Sequence, residues 1–142
     1  MINRLLIIDF DGTLFSTPMP EKGKAIWKSV KGIDYKHIGW WSKPESLDLN
    51  VFDIKPFPKV LSILNKDIST PNTYVIVLTS RMEKLRQEVQ NVLDANNINV
   101  DKLDLKYNEK TKGQKVLDYL NEFPELTEIN VYEGKEGIRR GK

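Results

Sequence analysis

Asp9 and Asp11 are two carboxylates separated by a single residue, and they follow directly on the apolar run Leu5-Leu6-Ile7-Ile8. Carboxylates this close repel each other unless a cation or a shared proton relieves them. Their spacing therefore points to a bound Mg²⁺ or to one raised pKa. Mg²⁺ is the expectation, because it takes oxygen ligands, keeps several waters and leaves room for a substrate phosphate. One aspartate could then attack phosphorus while the other moves protons. An arbitrary Asp-x-Asp reads more often as a solvated turn. The buried-looking run before this pair and Gly12-Thr13-Leu14-Phe15 after it set it apart.

The elements that would position the pair follow from periodicity. Residues 2–8 read as a short strand buried on both faces, so Asp9 sits where the strand emerges. That carboxyl edge is where open α/β sheets bind ligands, and Gly12 permits a sharp turn there. Residues 13–56 contain Pro18, Pro20, Gly23, Gly32, Gly39, Pro44 and Pro56. No long helical or strand period is expected to survive these breakers, and the stretch reads as an insert over the site. Further on, the patterns predict a helix over 58–65, a strand over 74–78 and a helix from about 82 to 95. A weaker strand over 103–106, a helix capped by Thr111 and a last strand over 129–132 follow. Such alternation predicts one α/β domain over 1–142. It is a three-layer Rossmann-like parallel sheet with right-handed crossovers and a small cap-like insert after strand 1.

The remaining polar candidates come just after predicted strands, on the same rim as Asp9 and Asp11. Thr79 and Ser80 either hold phosphate oxygens at a helix N-terminus or cap that helix. Phosphoryl transfer also needs a fixed cation, and Lys110, Lys112 and Lys115 compete for the role against a reading of all three as solvated. Trp40 and Trp41 are candidate substrate-binding residues that could stack on a base, or form the insert's own small core. Lys22, Lys24, Lys28, Lys31, Lys36 and Lys43, with Trp27, Trp40 and Trp41 among them, could hold a polyanionic strand. His37 is the single histidine and reads as a surface or loop residue.

Asp9-Phe10-Asp11-Gly12-Thr13-Leu14-Phe15 resembles the first motif of the haloacid dehalogenase (HAD) superfamily, mostly Mg²⁺-dependent phosphatases. The resemblance implies that Asp9 is the nucleophile, forming an aspartyl-phosphate, and Asp11 the general acid/base. Val77-Leu78-Thr79-Ser80-Arg81 is similar to the second motif, which assigns phosphate binding to Thr79, with Ser80 where many members have glycine. The HAD lysine lies near the start of the helix after the third strand. Gly39-Trp40-Trp41-Ser42-Lys43-Pro44-Glu45-Ser46-Leu47 resembles a segment of the Swiss Army Knife RNA repair-like branch, related to polynucleotide phosphatase domains. In that branch a threonine precedes the lysine by a few positions, which selects Thr111 and Lys115. The fourth motif would supply Glu133 to the metal beside Asp9 and Asp11, with Glu136 nearby. Gly134 stands where many relatives have an aspartate, a loss expected to weaken Mg²⁺ binding. The similarity runs from about residue 2 to 136. The basic, glycine-rich ending departs from it where relatives continue into another helix, and reads either as a disordered tail or as the mark of a shortened version of the chain.

Composition bounds the rest. The chain has 142 residues, 39% hydrophobic and 30% charged, with no cysteine. This suits one globular domain with a core and excludes disulfides, thiolate zinc sites and cysteine nucleophiles. A net charge of +2 is too small to indicate nucleic acid by itself. No apolar run is long enough to cross a bilayer and no signal peptide is evident, so a cytoplasmic location is expected. The expected function is Mg²⁺-dependent phosphomonoester hydrolysis on a phosphorylated small molecule, nucleotide or nucleic-acid end, without membrane involvement. The alternative is a degenerate HAD domain that binds nucleic acid or a protein partner without turnover. A phospho-accepting switch ranks last, because it leaves Asp11 without a proton to move.

Overall fold

The computed structural model describes residues 1–133 and the backbone of Ile138–Gly141. Strand β1 (Arg4–Ile8) lies in the middle of a five-stranded sheet of order β3-β2-β1-β4-β5, with β2 (Thr73–Met82), β3 (Lys102–Lys106), β4 (Glu128–Glu133) and β5 (Ile138–Gly141). The first four strands are parallel, and β5 runs antiparallel to β4 at the edge. Because β1 has a neighbour on both sides and layers on both faces, Leu5, Leu6, Ile7 and Ile8 are all buried. A continuous apolar run is what such a strand requires.

Side-chain alternation divides the interior into two layers. Leu6, Ile8, Val75 and Val77 face α2 (Pro58–Ile68), α3 (Arg86–Ala95) and the insert. Leu5, Ile7, Ile76 and Leu78 face α4 (Lys112–Glu122) through Tyr119, Val116 and Leu120. The result is the predicted three-layer α/β architecture. After β1 the chain builds β2 and β3 on one side, then crosses back to lay β4 on the other. The strand order therefore reverses between β1 and β4, and a crevice opens beyond their carboxyl ends. Ile8 pairs with Tyr132 in register, so Asp9 and Glu133 emerge side by side.

Three expectations need correction. The insert after β1 contains a regular helix, α1 (Pro20–Lys31). Pro20 occupies its first turn, where no backbone donor is needed, and Gly32 closes it in the left-handed conformation at φ 76°. Both residues are helix boundaries, so counting them as breakers hid the helix between them. Gly23 within it makes room for Trp40, whose ring carbon Cζ2 would lie 2.2 Å from an added Cβ. Second, β2 runs through Thr79-Ser80-Arg81 to Met82, and α3 starts only at Arg86, after a 3₁₀ turn at Glu83–Leu85. A register irregularity between Leu78 and Met82 re-aims this end of the strand. Thr79 therefore caps no helix. Third, the backbone of Ile138–Gly141 forms β5 in place of a tail. Gly134 and Glu136 lie outside the described residues. No helix among the described residues is long and apolar enough to cross a membrane.

Candidate functional site

The loop after β1 is tied to the sheet at several points. Asp9 N–H donates to Tyr132 O of β4 at 3.1 Å, and Asp9 O accepts from Leu14 N–H at 3.2 Å. Gly12, at φ 71°, turns the chain so that its N–H reaches Phe15 O at 2.9 Å. Phe10, Leu14 and Phe15 are fully buried beneath the turn, and this anchorage holds the two aspartates at the rim. The motif is thus half chemistry and half core.

Each aspartate meets a cation from a distant part of the chain. Lys112 Nζ lies 2.9 Å from Asp9 Oδ1, which also accepts the Phe10 N–H. The Arg81 guanidinium grips Asp11 with both prongs, Nε to Oδ2 at 2.9 Å and Nη2 to Oδ1 at 2.8 Å. Thr17 Oγ1 adds a bond to Asp11 Oδ1 at 2.7 Å. Arg81 is itself held by Ser46 Oγ at 2.6 Å and Trp41 O at 3.1 Å, and its guanidinium lies over the Trp41 ring. The protein's own cations therefore relieve the repulsion that the Asp-x-Asp spacing creates. That spacing by itself no longer requires a metal ion.

Of the three competing lysines it is Lys112, and not the selected Lys115, that reaches the rim. Lys115, expected at the phosphate, is buried and donates to Asp104 Oδ1 and Leu105 O, both at 2.8 Å. Tyr119 donates its hydroxyl to the other oxygen of Asp104. Burial first, then that hydrogen bond, pushes the Tyr119 phenol far above its usual range and keeps it a donor. The trio ties α4 to β3. Thr111 and Gln114 form a reciprocal cap at the start of α4, as the threonine suggested. Lys112 stands at the start of α4 and Lys115 one turn deeper on the same side, so the first reaches Asp9 at the rim while the second reaches Asp104 of β3.

A cleft of about 1070 Å³ between sheet edge and insert contains Asp9, Asp11, Thr79, Ser80, Arg81 and Lys112 in its walls. Met19, Ile26, Val51, Phe52 and Phe57 line the same cleft, so its walls combine ionic and apolar side chains. Thr79 is buried, and its hydroxyl accepts from Arg81 N–H at 3.1 Å, while Ser80 is exposed. Of the tryptophans, Trp40 belongs to the core, donating Nε1–H to Pro18 O, and Trp41 is partly exposed in the cleft wall. Lys22 of α1 also lines the cleft, whereas Lys24 and Lys31 lie over Tyr35 and Trp27 and Lys28 pairs with Asp34. His37 pairs with Glu45 at 2.8 Å on the insert. Glu133 follows Tyr132 beside Asp9 but does not line the cleft.

Among the described residues no three Asp, Glu, His or Cys side chains come together as a metal cluster. Mg²⁺ needs less, since it is held by one or two carboxylates with waters and substrate phosphates completing its shell. Of the three expected ligands, Asp9 lines the cleft with Oδ1 bonded to Lys112 and the Phe10 N–H, both oxygens of Asp11 are engaged by Arg81 and Thr17, and Glu133 follows the strand position next to Asp9. Arg81 and Ser46 are the residues sequence reasoning passed over. Their signal was present: an arginine two residues after Thr79, and a serine within the Trp-Trp segment.

No protein-family model matches the chain. It is 26% identical over 160 residues to Uncharacterized protein YMR265C of Saccharomyces cerevisiae, an alignment covering 94% of this chain and 35% of that protein. The chain thus spans about a third of the length of the curated relative it matches. Chains in two structures of the Pnkp1/Rnl/Hen1 complex, one described as an RNA repair complex, are similar at TM-scores of 0.51 and 0.50 and 18% identity. They match 87% of this chain and 32% and 34% of their own lengths. At that identity the likeness is one of fold, and the conclusion it carries is that this three-layer α/β domain shares its fold with part of an RNA repair complex.

Proposed function

We propose that the chain is a HAD-type, Mg²⁺-dependent phosphomonoesterase whose substrates are nucleic-acid ends or nucleotides. The observation that carries this reading is the convergence of Asp9, Lys112, Thr79 and the Arg81-held Asp11 at the carboxyl edge of a parallel sheet, facing one cleft. In the proposed reaction Asp9 attacks phosphorus, the bond to the leaving oxygen breaks, and Asp11, protonated once the Arg81 fork opens, gives that oxygen its proton. Water then attacks the aspartyl-phosphate, Asp11 takes a proton from it, and inorganic phosphate leaves with Asp9 restored. Lys112 and Thr79 hold the phosphate oxygens, and Arg81 with Thr17 fixes the direction of the Asp11 carboxylate. Mg²⁺, held by Asp9 and Glu133, would supply positive charge against the phosphate. The RNA repair complex among the structural neighbours supports a nucleic-acid substrate, as do the apolar and aromatic side chains in the cleft wall, which offer a surface for a base.

The test is phosphate release from 3′- and 5′-phosphorylated oligonucleotides, mononucleotides and sugar phosphates, with Mg²⁺ and with EDTA. Turnover should depend on Mg²⁺ and vanish in Asp9→Asn. Near-normal activity in that variant would sink the mechanism. A second reading, a binding domain without turnover, is favoured by one observation: Asp9 and Asp11 both already carry a protein cation. Affinity for phosphorylated ends with no phosphate released under any metal condition would select it.

A further inference from the structure

A second cavity, of about 220 Å³, shares Thr79, Ser80 and Lys112 with the Asp9 cleft, but Asp9 itself does not line it. Its walls carry four lysines, Lys106, Lys110, Lys112 and Lys115, and no carboxylate. The acids that answer these lysines stand outside the lining: Asp118 for Lys110, Asp9 for Lys112 and Asp104 for Lys115. Lys106, at the end of β3, has no ionic partner among the described residues. The first turn of α4 opens onto the same space, and the amides of Lys112 and Gly113 have no intrahelical acceptor there. A compartment this cationic attracts an anion. Its volume falls below the 300–1,000 Å³ or so of pockets for drug-sized ligands, so it suits a small group such as one phosphate.

We infer that this cavity is a second phosphate subsite, holding the phosphate next to the one presented to Asp9. The inference rests on the phosphomonoesterase reading of the cleft and narrows its substrates to molecules with two phosphates one nucleoside apart. The second phosphate is either the first internal diester of a nucleic-acid strand or the other monoester of a nucleoside bisphosphate. Lys106 and Lys110 are its specific ligands, because neither lines the Asp9 cleft.

The experiment is equilibrium binding to full-length Asp9→Asn protein, which leaves the ligand intact, measured by calorimetry. A 3′-phosphorylated dinucleotide should bind at least tenfold more tightly than a nucleoside 3′-monophosphate. Lys106→Ala and Lys110→Ala should each remove threefold or more of that advantage. Each should also weaken the dependence of the affinity on salt concentration. A nucleoside 3′,5′-bisphosphate is the third ligand: tighter binding of it than of the dinucleotide names a small molecule as the source of the second phosphate, and weaker binding names a strand. Equal affinity for one- and two-phosphate ligands, no measurable binding of any, or an advantage untouched by both lysine variants overturns the subsite. Failure of the wild-type protein to release phosphate refutes the phosphatase reading alone, because the binding difference is read without turnover.

Discussion

The fork between Arg81 and Asp11 makes a prediction whose sign depends on burial. The Arg81 side chain is 2% exposed and that of Asp11 is 22% exposed. Arg81→Ala removes four hydrogen bonds, two to Asp11, one to Ser46 Oγ and one to Trp41 O. Their values do not add, because Asp11 can recruit water and keeps its bond from Thr17. Breaking a buried pair from one side costs about 3–5 kcal/mol, and the exposed partner puts this variant near the lower figure, about 3 kcal/mol. Asp11→Ala instead strands a guanidinium that water cannot reach, supported only by Ser46 and Trp41 O, and should cost about 4–5 kcal/mol. At about 3 °C per kcal/mol for a domain of this size, the melting temperatures fall by roughly 9 °C and 13 °C. Urea unfolding of both variants and of the double variant measures the coupling, expected to exceed about 2 kcal/mol in the less-than-additive direction. Asp11→Ala being the milder substitution, or coupling within about 0.5 kcal/mol of zero, would refute the reasoning.

Other substitutions separate chemistry from architecture. Lys112→Ala should abolish phosphate release yet cost no more than about 1 kcal/mol in urea unfolding, since its pair with Asp9 is partly solvated. Lys115→Met should do the reverse to stability, about 3 kcal/mol, by leaving Asp104 buried with only the Tyr119 hydroxyl. Gly23→Ala places a methyl against Trp40, so it should destabilise by about 1–2 kcal/mol despite alanine's better helix propensity; a higher melting temperature would contradict that packing. Burial pushes the Glu45 carboxyl up, but its own backbone amide and the His37 hydrogen bond outweigh this and hold it below the usual range. A depressed carboxylate stabilises above its unfolded pKa, near 4.3, and loses that contribution as pH falls through the folded value. The stability gap between wild type and Glu45→Gln should therefore close below about pH 4 in unfolding curves taken across that range.

Much of the fold was legible because β1 and β2 are buried on both faces, which forces unbroken apolar runs. The amphipathic faces of α2, α3 and α4 repeat at helical period for the same reason. Elements whose partners are local side chains were less visible. The helix α1 hides between Pro20 and Gly32, and the reason Gly23 belongs inside it is Trp40, seventeen positions later. The extension of β2 through Thr79 and Arg81 likewise depends on β3, which pairs again at Met82 after the irregularity.

For the site, the residue string alone determined that Asp9, Asp11 and Thr79 stand on one rim, since each comes toward or beyond the carboxyl end of a parallel strand and strand direction decides where that end lies. Which cation serves which carboxylate was settled only by folding. Lys112 and Lys115 have the same chemistry and lie one turn apart on the same side of α4, so their roles depend on where α4 sits along the sheet edge, and Asp104 with Tyr119 sets that position. Arg81 reaches Asp11 across seventy positions and is steadied by an insert packed on the opposite side of the cleft. Contacts between distant parts of the chain carry no local periodicity, so they became visible only when the chain was closed on itself.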